Sequence, residues 1–380
     1  MTIVDRYLLR RFLSVIVATF AVLFGIYVVF ELLDRVDTFG SVARQRQQLF
    51  VQVLADYYVP RLFWFFDLTC GGLTMLAAVL TVCGFRRHQE QVALTTAGIP
   101  PSRCFRVVLV ASVLMMIPAV LNREVVLPRY QLVLMQDIND MNGDSASRRT
   151  TSMMDYARIQ FQGKGCDPNT KEIFHLTLEF PKRCLPDGGN QLVAGSARFE
   201  TDTPGLPPGC RLTQIDSPHN LAQGMDIMLA DRPVLLTAAE HPDLLATGEC
   251  YLVTNLLFEQ ILDQRTWSST ADTKTLFQAI RQAPEDFGPT ERTRFHIRIL
   301  KPFTDLSLIF IGLPLIIRRD DRNVFRPVLI SLTLTGICFG GCWLCQWAGN
   351  SMWLAPELAA WIPIIFMAPL ATVLYYRMDS

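Results

Sequence analysis

The sequence is short of charged residues. Asp, Glu, Lys and Arg make up 18% of its 380 residues, whereas soluble proteins carry about 25%. The 35 basic and 35 acidic side chains cancel, so no net field favours nucleic acid or an acidic partner. Hydrophobic residues account for 50% of the chain. Together these features predict that part of the chain lies in lipid.

The sequence also lacks the short motifs of common enzymes. It contains no Walker A pattern, no H-E-x-x-H and no G-x-S-x-G. We find no nucleophile paired with a base. We therefore expect a protein that is not an enzyme, with no catalytic residue, no metal site, no cofactor bound by the chain and no nucleotide site. The histidines are scattered, and we expect surface or packing roles for His88, His175, His219, His241 and His296.

Long apolar runs dominate both ends of the chain. The first has 19 residues without a charge, which exceeds the about 7–15 residues of a signal-peptide core. No small-residue cleavage site follows, so we expect an uncleaved transmembrane helix. The fourth run is the shortest, because Asp305 leaves only twelve uncharged residues after it. The six predicted spans are 12–30, 62–84, 105–121, 303–317, 327–349 and 358–376.

Arginine clusters orient these spans. They lie before span one, between spans two and three, between spans four and five, and after span six, which is one side of the membrane when the number of spans is even. Basic residues near span ends mark the cytoplasmic side. We therefore expect both termini in the cytoplasm and the polar block 122–301 in the periplasm. The clusters are Arg6, Arg10 and Arg11; Arg86, Arg87 and Arg103; Arg318, Arg319, Arg322 and Arg326; and Arg377.

The polar block shows the period-two alternation of half-buried strands. Turn signals such as P-D-G-G at 186–189 separate the alternating segments. This pattern favours a β-sandwich, a jelly roll or a barrel-like domain. Helical patterning returns at 273–283 and 291–300. The alternating segments are 173–180, 191–199, 209–216, 225–229 and 249–253.

Ten cysteines are divided between the apolar runs and the polar block. Four in an oxidising compartment allow two disulfides in three pairings, and we expect at least one disulfide. The C-x-x-C pair Cys342 and Cys345 lies inside an apolar run, where packing on a helix is the expected role. The candidate disulfide cysteines are Cys166, Cys184, Cys210 and Cys250.

Four acids lie within or beside the apolar runs: Glu31, Asp34, Asp67 and Asp305. Ionisable groups in a membrane segment are functional candidates by default. These four lie near span ends, where water and snorkelling can satisfy them. We therefore favour a structural role over ion coupling.

The loop 86–101, R-R-H-Q-E-Q-V-A-L-T-T-A-G-I-P-P, is the most informative stretch. Apolar residues between Val92 and Ile99 predict a weakly amphipathic helix, with Gly98 as its C-cap. A solvated turn is the alternative. An amphipathic helix held between two spans exposes an apolar face that a partner would cover.

The pattern E-x-x-A-L-x-x-A-G-I at 90–99 resembles the cytoplasmic loop of the LptF/LptG permease family, the paired inner-membrane subunits of the lipopolysaccharide-export ABC transporter. Similar segments occur at 5–8 (D-R-Y-L), 301–303 (K-P-F), 312–314 (G-L-P) and 355–363 (A-P-E-L-A-A-W-I-P). The resemblance covers the membrane part, and the β-domain carries almost no recognisable motif. It implies an α-helical membrane protein with six transmembrane helices and an inserted periplasmic jelly-roll-like domain. The implied domains are 1–121, 122–301 and 302–380.

The resemblance also implies roles for individual residues. Residues 86–98 would form a coupling helix that docks on a separate ATP-binding subunit, and spans one and five would form a lateral gate. In the family, basic residues near the outer end of the first span meet lipid phosphates. Here Asp34 stands at the position where the family has a basic residue, and Arg35 is the nearest basic side chain. The implied lipid-binding residues are Arg35 and Asp37. Gly71 and Gly72 stand where the family often has a proline. The implied coupling residues are Glu90, Ala93, Leu94, Ala97, Gly98 and Ile99.

The implied partners are a second homologous permease subunit, a dimeric ATP-binding subunit that holds ATP and Mg, and a periplasmic jelly-roll bridge protein. The implied substrate is lipopolysaccharide or a related glycolipid, and no nucleic acid is expected. Two alternatives remain open. One is an ion-coupled secondary transporter that uses Asp67 or Asp305, and the other is a membrane-anchored scaffold with a periplasmic binding domain.

Overall fold

In the computed structural model the chain forms two compact units. The membrane unit comprises Met1–Val36, Tyr58–Pro128 and Gly288–Ser380, and the sheet unit comprises Asp37–Tyr57 and Arg129–Phe287. The structure describes residues 3–87, 96, 101–136, 150–155, 157–167, 170–181, 184–185, 188–200, 206–218, 221, 224–229, 232–282, 289–317 and 325–379.

Long helices account for most of the membrane unit. Two of them, α1 and α2, continue into the sheet unit. The helix after α2 is interrupted near Met115 and continues through a π-helical turn at Asn122–Val126. The helices are α1 (Ile3–Arg46), α2 (Phe50–Arg87), α3 (Pro101–Leu114), α4 (Met116–Leu121), α5 (Leu127–Arg129), α6 (Gln131–Met135), α7 (Phe258–Leu262), α8 (Gln264–Thr270), α9 (Thr273–Gln282), α10 (Pro289–Ile317), α11 (Phe325–Asn350) and α12 (Pro356–Asp379).

Within the described residues, five helices are long and apolar enough to cross a membrane. They coincide, to within two residues at the ends, with five of the six predicted spans or enclose them. The remaining predicted span, 303–317, is helical as the second half of α10, but α10 is not among the five, and it carries Arg298, Lys301 and Asp305. The five candidate spans are Val4–Arg46, Phe50–Phe85, Arg106–Arg129, Phe325–Asn350 and Pro356–Leu374.

Helix α2 is the centre of the membrane unit. In its most apolar stretch 67% of the residues are buried, against 11% in α1 and 6% in α11. Its small residues Ala77 and Ala78 pack with Phe12 of α1 and Leu313 of α10 in one apolar cluster. Burial of apolar surface against α2 therefore holds the unit together, while α1 and α11 present long apolar faces outward.

Among the described residues of the sheet unit, nine strands form one antiparallel sheet. The strand order is β1-β2-β4-β5-β6-β9-β8-β7, and β3 also pairs with β4. The five alternating segments predicted from the sequence are confirmed as β4 to β7 and β9. The strands are β1 (Met153–Met154), β2 (Gln160–Gln162), β3 (Gly165–Asp167), β4 (Glu172–Glu179), β5 (Gln191–Glu200), β6 (Gly209–Ser217), β7 (Ile227–Leu229), β8 (Arg232–Thr237) and β9 (Cys250–Val253).

Four strands were missed for a physical reason. The strand β8 carries the continuous run P-V-L-L, three residues of which are fully buried or nearly so, and such a run has no alternation. The strands β1 to β3 have two or three residues each, too few to show any period.

A bend crosses the three central strands of the sheet. His175 in β4 and Gln214 in β6 have φ of 49° and 55°, and the register places both opposite Gly195 in β5. A Cβ atom on Gly195 would lie 2.9 Å from the Cβ of Gln214. Glycine therefore permits this close approach, and along β5 the buried positions change parity between Ala194 and Ala197.

The expected disulfide is not formed in the structure. None of Cys166, Cys184, Cys210 and Cys250 is joined in a disulfide. In the β6–β9 register Cys210 lies opposite Leu252 and Cys250 lies opposite Leu212. The two cysteines are therefore diagonal neighbours, whose Cα separation of roughly 7–8 Å exceeds the about 4.4–6.8 Å usual in a disulfide.

Candidate functional site

A cluster of paired charges lies inside the membrane unit, and Asp67 of α2 is at its centre. The Asp67 Oδ1 atom accepts hydrogen bonds from Arg123 Nε at 2.9 Å and Nη2 at 2.7 Å. Lys301 of α10 donates to the Asp67 carbonyl at 2.6 Å and lies 3.3 Å from Oδ2. One carboxylate therefore joins three segments of the chain through two cations.

The π-helical turn Asn122–Val126 positions Arg123. Asn122 and Arg123 are both buried, and the Asn122 amide donates to the Phe63 carbonyl of α2 at 2.9 Å. A π-helical turn holds one more residue than an α-helical turn and is frequent at functional sites. Here it brings two consecutive polar side chains to the inner side of the helix, next to Asp67.

A second layer of contacts extends the cluster along α10. The Arg298 guanidinium donates to the Arg123 carbonyl at 3.0 Å, and Arg123 donates to the Arg298 carbonyl at 3.4 Å. Arg298 also forms an ion pair with Glu124 at 3.3 Å. These reciprocal contacts hold α10 against the segment that follows α4.

Asp305, one helical turn after Lys301, completes the cluster. Its carboxylate packs against Gly71 of α2 so closely that a Cβ atom at Gly71 would overlap it. Gly71 is one of the two glycines that stand where the resembled family often has a proline. The cluster then holds the acids Asp67, Glu124 and Asp305 and the bases Arg123, Arg298 and Lys301. Its balance of charge lowers the cost of removing these groups from water.

A cavity of about 280 Å³ adjoins this cluster. It lies between α10, α11 and α12, with one contribution from α2. Lys301, Asp305 and Gln346 supply polar groups, and Phe339 and Trp343 of α11 are among its apolar walls. An apolar cavity with a few converging polar groups is typical of ligand sites. The cluster itself pairs charges and contains no nucleophile, so the arrangement suits binding and positioning.

The predicted coupling residues lie outside the described residues. Glu90, Ala93, Leu94, Ala97, Gly98 and Ile99 fall between the end of α2 at Arg87 and the start of α3 at Pro101.

The predicted lipid-binding residues lie in the second half of α1. Arg35 stands where α1 is kinked, with φ −125° and ψ 19°. Arg35 is half-buried and Asp37 is exposed. The structure divides the two residues between units, because the membrane unit ends at Val36 and the sheet unit begins at Asp37.

Sequence reasoning identified Asp67 and Asp305 but missed their surroundings. From the sequence alone, Arg123 is only a member of the polar block 122–301, and Lys301 belongs only to the segment that leads into the fourth span. Nothing in that reading pairs either residue with Asp67. One signal was present, because Asp67, Arg123 and Lys301 all lie near the predicted outer ends of their spans. Opposite charges at one depth beside apolar runs are candidates for pairing.

Comparison with known proteins adds the family. A family model described as lipopolysaccharide export system permease LptF/LptG matches residues 6–377, which is nearly the whole chain. No curated protein matches the chain. The match confirms the resemblance that the loop and helix-entry motifs indicated, and it includes every residue of the charged cluster. The chain therefore belongs to the LptF/LptG family of lipopolysaccharide export permeases, and its five apolar helices fit a multi-pass protein of the inner membrane.

Proposed function

We propose that this chain is a permease subunit of an ABC transporter that extracts lipopolysaccharide, or a related glycolipid, from the inner membrane. It would pass the lipid to a periplasmic bridge protein on the way to the outer membrane. The family match over residues 6–377 carries this proposal. The partners are a second homologous permease subunit and a dimeric ATP-binding subunit that holds ATP and Mg.

The proposed topology has six spans, three before and three after a periplasmic jelly-roll-like domain, with both termini in the cytoplasm. The one predicted span outside the five candidate helices is the second half of α10. This half of α10 carries two charged residues near its start, Lys301 and Asp305. The Lys301 Nζ atom donates to the Asp67 carbonyl at 2.6 Å and to Asp67 Oδ2 at 3.3 Å. Pairing reduces the cost of placing a charge in a membrane. This supports α10 as the helix that contains the fourth of the six spans.

Energy for transport has to come from another chain, since the sequence carries no Walker A motif. The loop 86–101 joins the end of α2 to the start of α3. Because α2 is the most buried of the candidate spans, a force applied at its end reaches the core of the membrane unit. We therefore assign docking of the ATP-binding subunit to this loop, with Glu90 and its apolar neighbours as the contact.

The route of the lipid follows the exposed apolar helices. Helices α1 and α11 are the least buried candidate spans, with 11% and 6% of their apolar stretches buried. These are spans one and five, which the family resemblance assigns to the lateral gate. Faces of this kind in a membrane meet acyl chains or other helices. Arg35, at the kink of α1, is the proposed contact for a lipid phosphate.

Copurification tests the docking assignment. The chain is expressed with its partner permease and the ATP-binding subunit, and the ratio of subunits is measured after purification in detergent. Glu90→Lys should remove most of the ATP-binding subunit. Asp216→Lys makes the same change of charge at an exposed strand position of the sheet unit and should leave the ratio unchanged. Full recovery of the ATP-binding subunit with Glu90→Lys refutes the assignment.

Transport in proteoliposomes separates this function from its alternatives. Release of labelled lipopolysaccharide should require ATP and should persist when ionophores collapse all ion gradients. Release driven by an ion gradient without ATP would identify a secondary transporter. No release under either condition, with the complex intact, would identify a scaffold.

A further inference from the structure

The sheet unit brings together three side chains that the sequence keeps apart. Asp226 precedes β7, whereas Glu240 and His241 lie in the turn that follows β8. One ligand atom from each lies within 4.8 Å of the other two. The Nε2 atom of His241 is 2.9 Å from Asp226 Oδ2. The antiparallel pairing of β7 with β8, in which Ile227 lies opposite Leu235, creates this proximity.

Asp226 is held in place by Thr237. The Asp226 Oδ1 atom accepts a hydrogen bond from the Thr237 backbone N–H at 2.7 Å and lies 3.3 Å from the Thr237 hydroxyl. That hydroxyl donates to the Gly224 carbonyl at 2.7 Å, and Thr237 is fully buried. The Asp226 Oδ1 atom is thus held by Thr237, and this contact leaves Oδ2 facing His241.

Backbone hydrogen bonds fix the turn that carries His241. Its N–H donates to the Thr237 carbonyl at 3.1 Å, and its own carbonyl accepts from Leu244 at 3.2 Å and Leu245 at 3.1 Å. Glu240, its neighbour, is exposed. The turn therefore presents an imidazole and a carboxylate to the fixed oxygen of Asp226. Asp226 has the second hydrogen-bond partner that commonly orients a metal ligand, since Thr237 holds its other carboxylate oxygen.

We propose that Asp226, Glu240 and His241 bind a Zn²⁺ ion. Two carboxylates and a neutral imidazole carry a charge of −2, which a divalent cation neutralises. Imidazole favours zinc over Mg²⁺ and Ca²⁺, which prefer oxygen ligands alone. Ligand atoms about 2.1 Å from a tetrahedral zinc ion lie about 3.4 Å apart, so the 2.9 Å separation of His241 and Asp226 needs only a small widening.

Three protein ligands leave the fourth position of a tetrahedral ion for water. The strand β7 is the last in the sheet order, so the ion would tie this edge strand to the turn after β8. A metal that binds only the folded state stabilises it. The site is independent of lipid transport, and its failure would leave the proposed function untouched.

Zinc binding to the full chain in detergent tests the proposal. The protein is stripped with a chelator, and Zn²⁺ binding is followed by equilibrium dialysis with metal analysis and by the melting temperature. Wild type should bind one Zn²⁺ per chain and melt higher with zinc. His241→Asn should weaken binding by about 100-fold or more, since loss of a supporting contact alone costs about 10–100-fold, and should abolish the rise in melting temperature.

Two further variants keep the result interpretable. His175→Asn removes an exposed histidine of the same sheet at a position with φ 49°, which asparagine tolerates, and should bind zinc like wild type. Glu240→Gln changes an exposed side chain and should weaken binding without lowering the melting temperature of the metal-free protein. Equal zinc affinity in wild type and His241→Asn overturns the proposal, as does equal competition by Ca²⁺.

Discussion

Two arginines, one in each unit, make similar bonds in different surroundings. Arg123 of the membrane unit lies 2.7 Å from Asp67, with side-chain exposures of 8% and 18%. Arg211 of the sheet unit lies 3.1 Å from Glu200 and 2.9 Å from Glu249, and all three side chains are 21–22% exposed. Hydrogen bonds from Arg211 to Glu200 and Glu249 raise its pKa. Bond length therefore does not distinguish the two sites. The exposure of the arginine does, at 8% for Arg123 against 21% for Arg211.

This contrast shows how the surroundings set the role of an ion pair. If Arg211 is lost, Glu200 and Glu249 can turn to water, as partly exposed acids do. If Arg123 is lost, Asp67 keeps only Lys301, and the Arg298 carbonyl loses a donor. The lost bonds lie inside the membrane unit, where Arg123 is only 8% exposed, so they are harder to replace than bonds at the surface of the sheet unit. The membrane cluster should therefore be essential to folding, and the sheet network should be dispensable.

The largest expected effect comes from Arg123→Ala. It should lower the free energy of unfolding by about 3–5 kcal/mol, because it leaves the partly buried Asp67 carboxylate without the arginine that donates two hydrogen bonds to it. Arg211→Ala is the matched control, and should cost about 1 kcal/mol. The measurement is thermal and denaturant unfolding of both variants in one detergent. Similar losses in the two variants would show that burial does not distinguish these sites.

An intermediate effect is expected from Gly71→Ala. The new methyl group would overlap the Asp305 carboxylate, and overpacking costs about 1–3 kcal/mol. Adding Asp305→Ala should restore part of the lost stability. Gly336→Ala, in α11, meets nothing within 4 Å and should cost nothing in the same melting assay. A double variant no more stable than Gly71→Ala would exclude the Asp305 contact as the cause.

The smallest expected effect concerns the buried thiols of the sheet unit. Burial raises the pKa of Cys250 from 9.0 to about 12 and also raises the pKa of Cys210. At pH 8 both should resist a thiol reagent in the native chain and react after unfolding, whereas half-buried Cys184 should react natively. Mass spectrometry of labelled peptides measures this.

The pH dependence follows from the same shift. The folded state keeps the Cys250 proton above pH 9.0, where the unfolded state begins to release it. Stability should therefore be unaffected below about pH 9 and should fall as the pH rises toward 12. A native Cys250 that is labelled as fast as Cys184, or a Cys210–Cys250 disulfide in the peptide map, would contradict the buried-thiol assignment.

Much of the fold could be predicted because its signals are local. The alternation at 173–180 and 191–199 is visible within one strand, and β4 and β5 form there. Five apolar runs became helices of spanning length. The charged cluster could not be predicted in the same way, because Asp67 and Lys301 are 234 residues apart. The zinc candidate depends on the β7–β8 register, and β8 itself has no alternation to reveal it.

The apolar runs, the alternating segments and, through the loop and helix-entry motifs, the family could all be read from the amino-acid sequence. Apolar burial and strand patterning depend on neighbours along the chain, so a single sequence displays them. The folded chain was needed to show which charges meet, why glycine is required at position 71 beside Asp305, and which histidine lies near two carboxylates. Those contacts depend on angles and registers between distant segments, where a shift of one residue would separate the groups.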